Sequence, residues 1–151
     1  MANKFPLQSL LDLSQLRLDE ATRRLGQLIS GEQEAHQRLA MLVQYREEYQ
    51  ARFVTAAQGG LAPREWQNFR DFLAKLDDAV RMAGDVVDQS KQKTAAGQRD
   101  WLSQRGRVQA YDTLSRRHEA RVRLHAFRRE QKASDEFAAR NHLVRNEEGD
   151  D

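Results

Sequence analysis

Cysteine is absent from this sequence of 151 residues. That excludes a disulfide scaffold and any thiolate metal site, and it is compatible with a reducing compartment. Proline occurs only twice and glycine eight times, so long stretches carry no helix breaker. No apolar run approaches the roughly 18 to 20 residues that span a bilayer. The N-terminal MANKFPLQSLLDLSQLRLDE soon turns acidic and does not read as a secretory signal. The expectation is a soluble protein that meets a membrane only through partners. A Gly-rich phosphate loop, a GxSxG elbow and an HExxH helix are all missing, so no catalytic residues, cofactor or metal are assigned. Hydrophobic residues make up 39% of the chain and charged ones 32%. That is too polar for a thick core and suits long helices that bury one stripe each.

What is present is a heptad seam. From Leu7 to Ala56, in steps alternating between four and three, the positions are apolar except at Ser14, Glu32 and Arg46. A period near 3.5 sustained this long marks a coiled coil. Pro6 suits a first helical turn, and helix one is expected over about 6–57. Gln58-Gly59-Gly60-Leu61-Ala62-Pro63 supplies a turn over 58–63, with Pro63 at the start of helix two and Glu65 favourable at its positive end.

Helix two, expected over about 64–142, has its own seam from Trp66 through Leu76, Val87 and Trp101 to Tyr111. So short a turn sets the two helices antiparallel. The fold class is therefore all-α, a single coiled-coil hairpin whose second helix overhangs the first, with 143–151 a disordered tail. Facing positions are those whose numbers add to 122, which pairs Phe53 with Phe69, Tyr49 with Leu73, Leu25 with Gly97 and Ala21 with Trp101. Large residues then face small ones in several layers. Glu32 faces Ser90 near Gly31 and Gly84, and the loosest section is expected there.

Charge is uneven along the chain. Residues 99–145 hold 12 basic and 6 acidic side chains, whereas 146–151 hold four acidic and none basic. Beyond Ser115, helix two has no seam partner left. Arg116, Arg117, Arg121, Arg123, Arg128 and Arg129 sit on this overhang, with a thin apolar stripe including Leu124, Phe127 and Phe137. Such a helix could neutralise phosphates, dock on an acidic protein surface, or simply be solvated. Interrupting acids such as Glu119 and Glu130, and the absence of a parallel zipper, favour the protein surface over nucleic acid. His118 and His125 lie seven residues apart, roughly 10 Å along the helix. That is too far for one metal ion, and they read as solvated.

One flank of the seam is also apolar. Tyr45, Phe72, Ala79 and Val86 all take the g position, which faces g across an antiparallel pair, beside Leu42, Tyr49 and Leu76. Apolar side chains gathered on one flank suggest a binding patch. A thin hairpin widening its core would produce the same pattern.

The FPLQSLLDL start, the Leu42/Tyr45/Tyr49 stripe, the GG–P turn and the basic C-terminal helix with its DEFAAR segment together resemble the FliJ family of bacterial flagellar export proteins. The resemblance spans essentially the whole chain. It implies a two-helix antiparallel coiled coil, similar to the rotary stalk of F-type ATPases, in the cytoplasm and peripheral to the inner membrane through the flagellar type III export apparatus. It implies three partners: the hexameric export ATPase, the membrane-embedded export-gate protein, and export chaperones. The gate-binding stripe of the family falls on Leu42, Tyr45, Tyr49, Phe72, Leu76 and Ala79. Arg38 and Ala83 depart from the amide-like and imidazole side chains expected at their positions. The ATPase contact falls in outline on the six arginines of the overhang. The rival reading is a basic helical scaffold or a nucleic-acid-binding coiled coil.

Overall fold

The glycine pair and Pro63 punctuate the chain where the sequence predicts. The computed structural model describes residues 4–149 and holds two α-helices, α1 over Gln8–Gln58 and α2 over Pro63–Gly149. Among the described residues there is no strand. Helix α1 closes with Gly59 N–H donating to the Thr55 carbonyl at 3.4 Å and Gly60 N–H to the Ala57 carbonyl at 3.2 Å. Gly60 has φ of 87°, a left-handed turn that favours glycine. Pro63 then takes the first position of α2, with Glu65 in the first turn, where a missing N–H costs nothing and a negative charge is stabilised.

The sequence predicts an end to helix two near 142. The helix instead continues to Gly149, because 143–148 contain neither proline nor glycine to stop it. Residues 150 and 151, the rest of the expected tail, lie outside the described residues.

The chain divides into two units, each built from a piece of both helices: Arg17–Gln104, and Met1–Leu16 with Arg105–Asp151. In Arg17–Gln104, every predicted seam position of α1 from Leu18 to Ala56 is buried or half-buried. So is every one of α2 from Phe69 to Gln104, and only Trp66 beside the turn is exposed. The register follows the expected pairing. Thr94 Oγ1 donates to the Leu28 carbonyl at 3.3 Å, and Trp101 Nε1 donates to Thr22 Oγ1 at 2.9 Å, above buried Ala21. The polar interruption at Arg46 is resolved by an ion pair with Asp77 on α2. Half-buried Glu32 has His36 one turn away, at 4.0 Å.

Near Glu32 the seam holds several of the most buried side chains. Ala35 and Val87, in the adjoining layer, and Ala83, one layer further, are three of the five buried apolar residues among those described.

Gly97 has a role that helix propensity alone does not disclose. A Cβ at this position would stand 2.5 Å from Leu28 Cδ1 and 3.7 Å from Leu25 Cδ1. The layer is filled by the two leucines leaning into the glycine. Gly97→Leu should therefore lower stability by about 1–3 kcal/mol through overpacking. Gly97→Ala should be near neutral, since the gain of about 1 kcal/mol in propensity is offset by displacing a flexible leucine methyl. Thermal melts of the two variants check this ordering.

In the second unit, Ser14 occupies a seam position at 5% exposure, its hydroxyl donating to the Leu11 carbonyl at 2.8 Å. Val108, Tyr111, Ser115, His118 and Val122 continue the half-buried stripe of α2. From Arg123 to Gly149 every residue is exposed. The uncovered helix thus begins at 123 rather than just after Ser115. The N-terminal arm accounts for the difference: Phe5 and Leu7 are half-buried, and the Phe5 ring lies 5.7 Å from that of His118.

Candidate functional site

A seam of aliphatic layers turns aromatic as it nears the glycine turn. Six rings follow one another in the order Trp66, Phe53, Phe69, Tyr49, Phe72, Tyr45. Their centroid separations are 5.0, 5.4, 5.3, 4.5 and 6.3 Å in turn. The end contacts, Phe53 with Trp66 and Tyr45 with Phe72, are edge-on at 87°. Such distances and tilts are those at which ring quadrupoles attract, worth about 0.5–1.5 kcal/mol per pair beyond area burial. The ladder forms because seam positions Phe53, Phe69 and Tyr49 alternate between helices, and Phe72 and Tyr45 extend it onto the g flank. Tyr49, paired by register with Leu73, turns its ring to Phe69 and Phe72 instead.

The six residues of the predicted stripe do not share one kind of environment. Tyr45 is 42% exposed. Leu42, Tyr49, Phe72 and Ala79 are half-buried and open to the flank. Leu76 is only 6% exposed, so it supports the flank from beneath and offers little to a partner. Beyond Tyr45 the flank sinks into a groove of about 500 Å³ in which Leu42 and Ala79 meet Arg38, Met82 and Val86. Met82 and Val86 are exposed there, as is Met41 nearby. Met41 and Met82 escape a reading by seam and flank because both lie one position class further out, at c. Their signal is residue type: a flexible thioether on an exposed helix face adapts to varied apolar partners.

The basic helix is arranged differently. Arg116, Arg117, Arg121, Arg123, Arg128 and Arg129 are all exposed. At about 100° per residue, Arg117, Arg121 and Arg128 share one face, Arg116 and Arg123 another, and Arg129 a third. Arg116 is held by Asp112 at 3.1 Å, one turn back. Arg121 and Arg129 rim a groove of about 810 Å³, floored by Phe5, Leu7 and Val122 and also lined by His118 and His125. His118 is thus not the solvated side chain that the sequence suggests. Half-buried, it packs against Phe5. An arm contact of this kind has no periodicity, so heptad reasoning does not find it.

Among the described residues, no group of three His, Asp or Glu is placed to hold a metal ion, and no helix is long and apolar enough to cross a membrane. The exposed features are an aromatic and thioether flank in one unit, and a cationic helix with exposed phenylalanines in the other.

Comparison with known proteins gives these surfaces a context. The family described as "Flagellar FliJ protein" matches residues 3–147. A flagellar FliJ protein of Salmonella typhi is 34% identical over 140 residues, covering 93% of this chain and 95% of that protein. The flagellar FliJ protein of Escherichia coli strain K12 is 31% identical over the same length and the same shares.

Proposed function

The chain belongs to the flagellar FliJ protein family, and from that premise we propose that it is a non-enzymatic coupling component of the bacterial flagellar type III export apparatus. It joins the hexameric export ATPase to the membrane-embedded export gate and escorts export chaperones. It works in the cytoplasm and reaches the inner membrane only through these partners.

The observation that carries this reading is the flank at Tyr45. A ladder of rings ends there in a half-exposed tyrosine, beside a groove lined by Leu42, Ala79 and Met82. Large amphipathic rings held rigidly by neighbours are what hot spots are made of, because little conformational freedom is lost on contact. The gate protein is assigned to this flank, through Leu42, Tyr45, Tyr49, Phe72 and Ala79, with Leu76 as their support. The ATPase is assigned to the basic helix, with Arg116, Arg117, Arg121, Arg123, Arg128 and Arg129 meeting acidic side chains of the ring. The spread of these arginines around the helix suits a helix enclosed on several sides better than one laid in a nucleic-acid groove, where one face would carry the charge.

The test is complementation of a deletion strain with Tyr45→Ala, Phe72→Ala in one chain. Swimming and export of filament proteins should fall to near the deletion level, with the variant present at normal abundance. Normal swimming would remove the flank from the mechanism.

A further inference from the structure

Residues 123–149 form a helix that nothing among the described residues covers. A single polar helix of this length is marginal in water, and this one leaves Phe127 62% and Phe137 66% exposed. Its charge is segregated along its length. Residues 116–132 carry seven basic and two acidic side chains, and 133–148 carry two basic and four acidic. A parallel neighbour would set like charge on like, whereas an antiparallel copy sets each basic half on an acidic one.

The heptad spacing makes the same choice. A seam of alternating fours and threes runs from Arg116 to Glu148 on residues that are all exposed. Reflected about Lys132, this seam falls on itself. Phe127 then faces Phe137, Ala120 faces Val144, Arg116 faces Glu148 and Glu130 faces Ser134. No layer opposes like charges, and a two-fold axis generates each layer twice, as an isologous interface requires. The bond from Arg116 to Asp112 leaves further guanidinium donors for Glu148. The half-buried positions Ser115, His118 and Val122 belong to a different face, so this seam does not compete with the N-terminal arm.

We propose that two copies of the chain pair antiparallel through this helix, about a two-fold axis at Lys132. The occupant of the exposed phenylalanine face is a second copy of the same chain. The pairing is that of the free chain, since a helix enclosed by the ATPase ring leaves no face for a second copy.

Because the chain has no cysteine, single thiols read the geometry in the full-length protein. Sedimentation equilibrium should give twice the chain mass of 17.5 kDa at concentrations of tens of micromolar. With oxidised glutathione, Gln131→Cys or Ala133→Cys, beside the axis, should form a disulfide between copies. Arg116→Cys and Glu148→Cys should each fail alone and link when mixed. Replacing Phe127 and Phe137 by alanine should weaken the dimer by about tenfold or more. Three results would overturn the proposal. One is a monomer throughout that range. Another is a dimer that links at 116 or 148 alone. The third is a dimer indifferent to the phenylalanines, as exchange of α1 between hairpins would give.

Discussion

Leu76→Asp is expected to unfold the unit Arg17–Gln104, while Tyr45→Ala leaves it folded. The two residues belong to the same predicted stripe, yet their surroundings differ. Leu76 is 6% exposed and fills a layer beside the Arg46–Asp77 ion pair. Truncation to alanine there should cost about 2–5 kcal/mol, the transfer loss together with the cavity left behind. Aspartate leaves the same cavity and sets a second carboxylate beside Asp77 against the one guanidinium, Arg46, that faces this layer, so one negative charge stays uncompensated among packed side chains, which exceeds what a hairpin of this size can absorb. Tyr45, 42% exposed, gives up one edge-on contact with Phe72 at 6.3 Å, worth about 1 kcal/mol. Circular dichroism should therefore show lost helicity and no cooperative melt for Leu76→Asp. Tyr45→Ala should keep its helicity and melt within a few degrees of the parent. Equal melting of the two would mean that Leu76 does not carry the layer.

The second large effect concerns the uncovered helix. A stop after Val122 removes only residues that are exposed over the described range, so the remaining hairpin should melt close to the full chain. A stop after Ser115 also removes His118 and Val122, which pack with the arm at Phe5 and Leu7. That shorter chain should be less stable by about 1–3 kcal/mol, the range for a few half-buried side chains. Stimulation of the export ATPase should be lost in both, because both lack Arg123, Arg128 and Arg129. The comparison separates binding from folding, which the shorter truncation alone does not. Undiminished stimulation by the chain ending at Val122 would take the basic helix out of the proposed mechanism.

Much of the fold was legible because a coiled coil writes its contacts in its period. The alternation of fours and threes located both seams, and the Gly59-Gly60 to Pro63 turn fixed the register. Thr94 with Leu28, and Gly97 under Leu25, then fall where the numbers place them. The polar interruptions at Ser14 and Arg46 were visible as exceptions. Their resolution, a bond to the Leu11 carbonyl and an ion pair with Asp77, depends on side-chain reach and cannot be read from spacing. The aromatic flank was legible in outline, since position g is a statement about geometry. Which members face outward was not, because Tyr45 and Leu76 differ by depth rather than by pattern.

The features hidden from the sequence are local and aperiodic. Phe5 reaches His118 from an arm outside the heptads, shifting the start of the uncovered helix by two turns. Helix α2 continues past 142 because a polar stretch without proline or glycine has no reason to stop, and polarity alone does not signal an end. The depth of Ala35 and Ala83, close to the polar layer at Glu32, was not legible either, because the period places a residue on the seam without saying how deeply it is buried.

The flank at Tyr45 is the proposed surface for the export gate. Titration calorimetry of the gate-protein linker against the parent chain and the Tyr45→Ala, Phe72→Ala variant tests this directly. Two anchors worth about 2 kcal/mol each predict a Kd raised by about a thousandfold, with the variant still folded. An affinity unchanged within about threefold, for a variant of normal helicity, would contradict it.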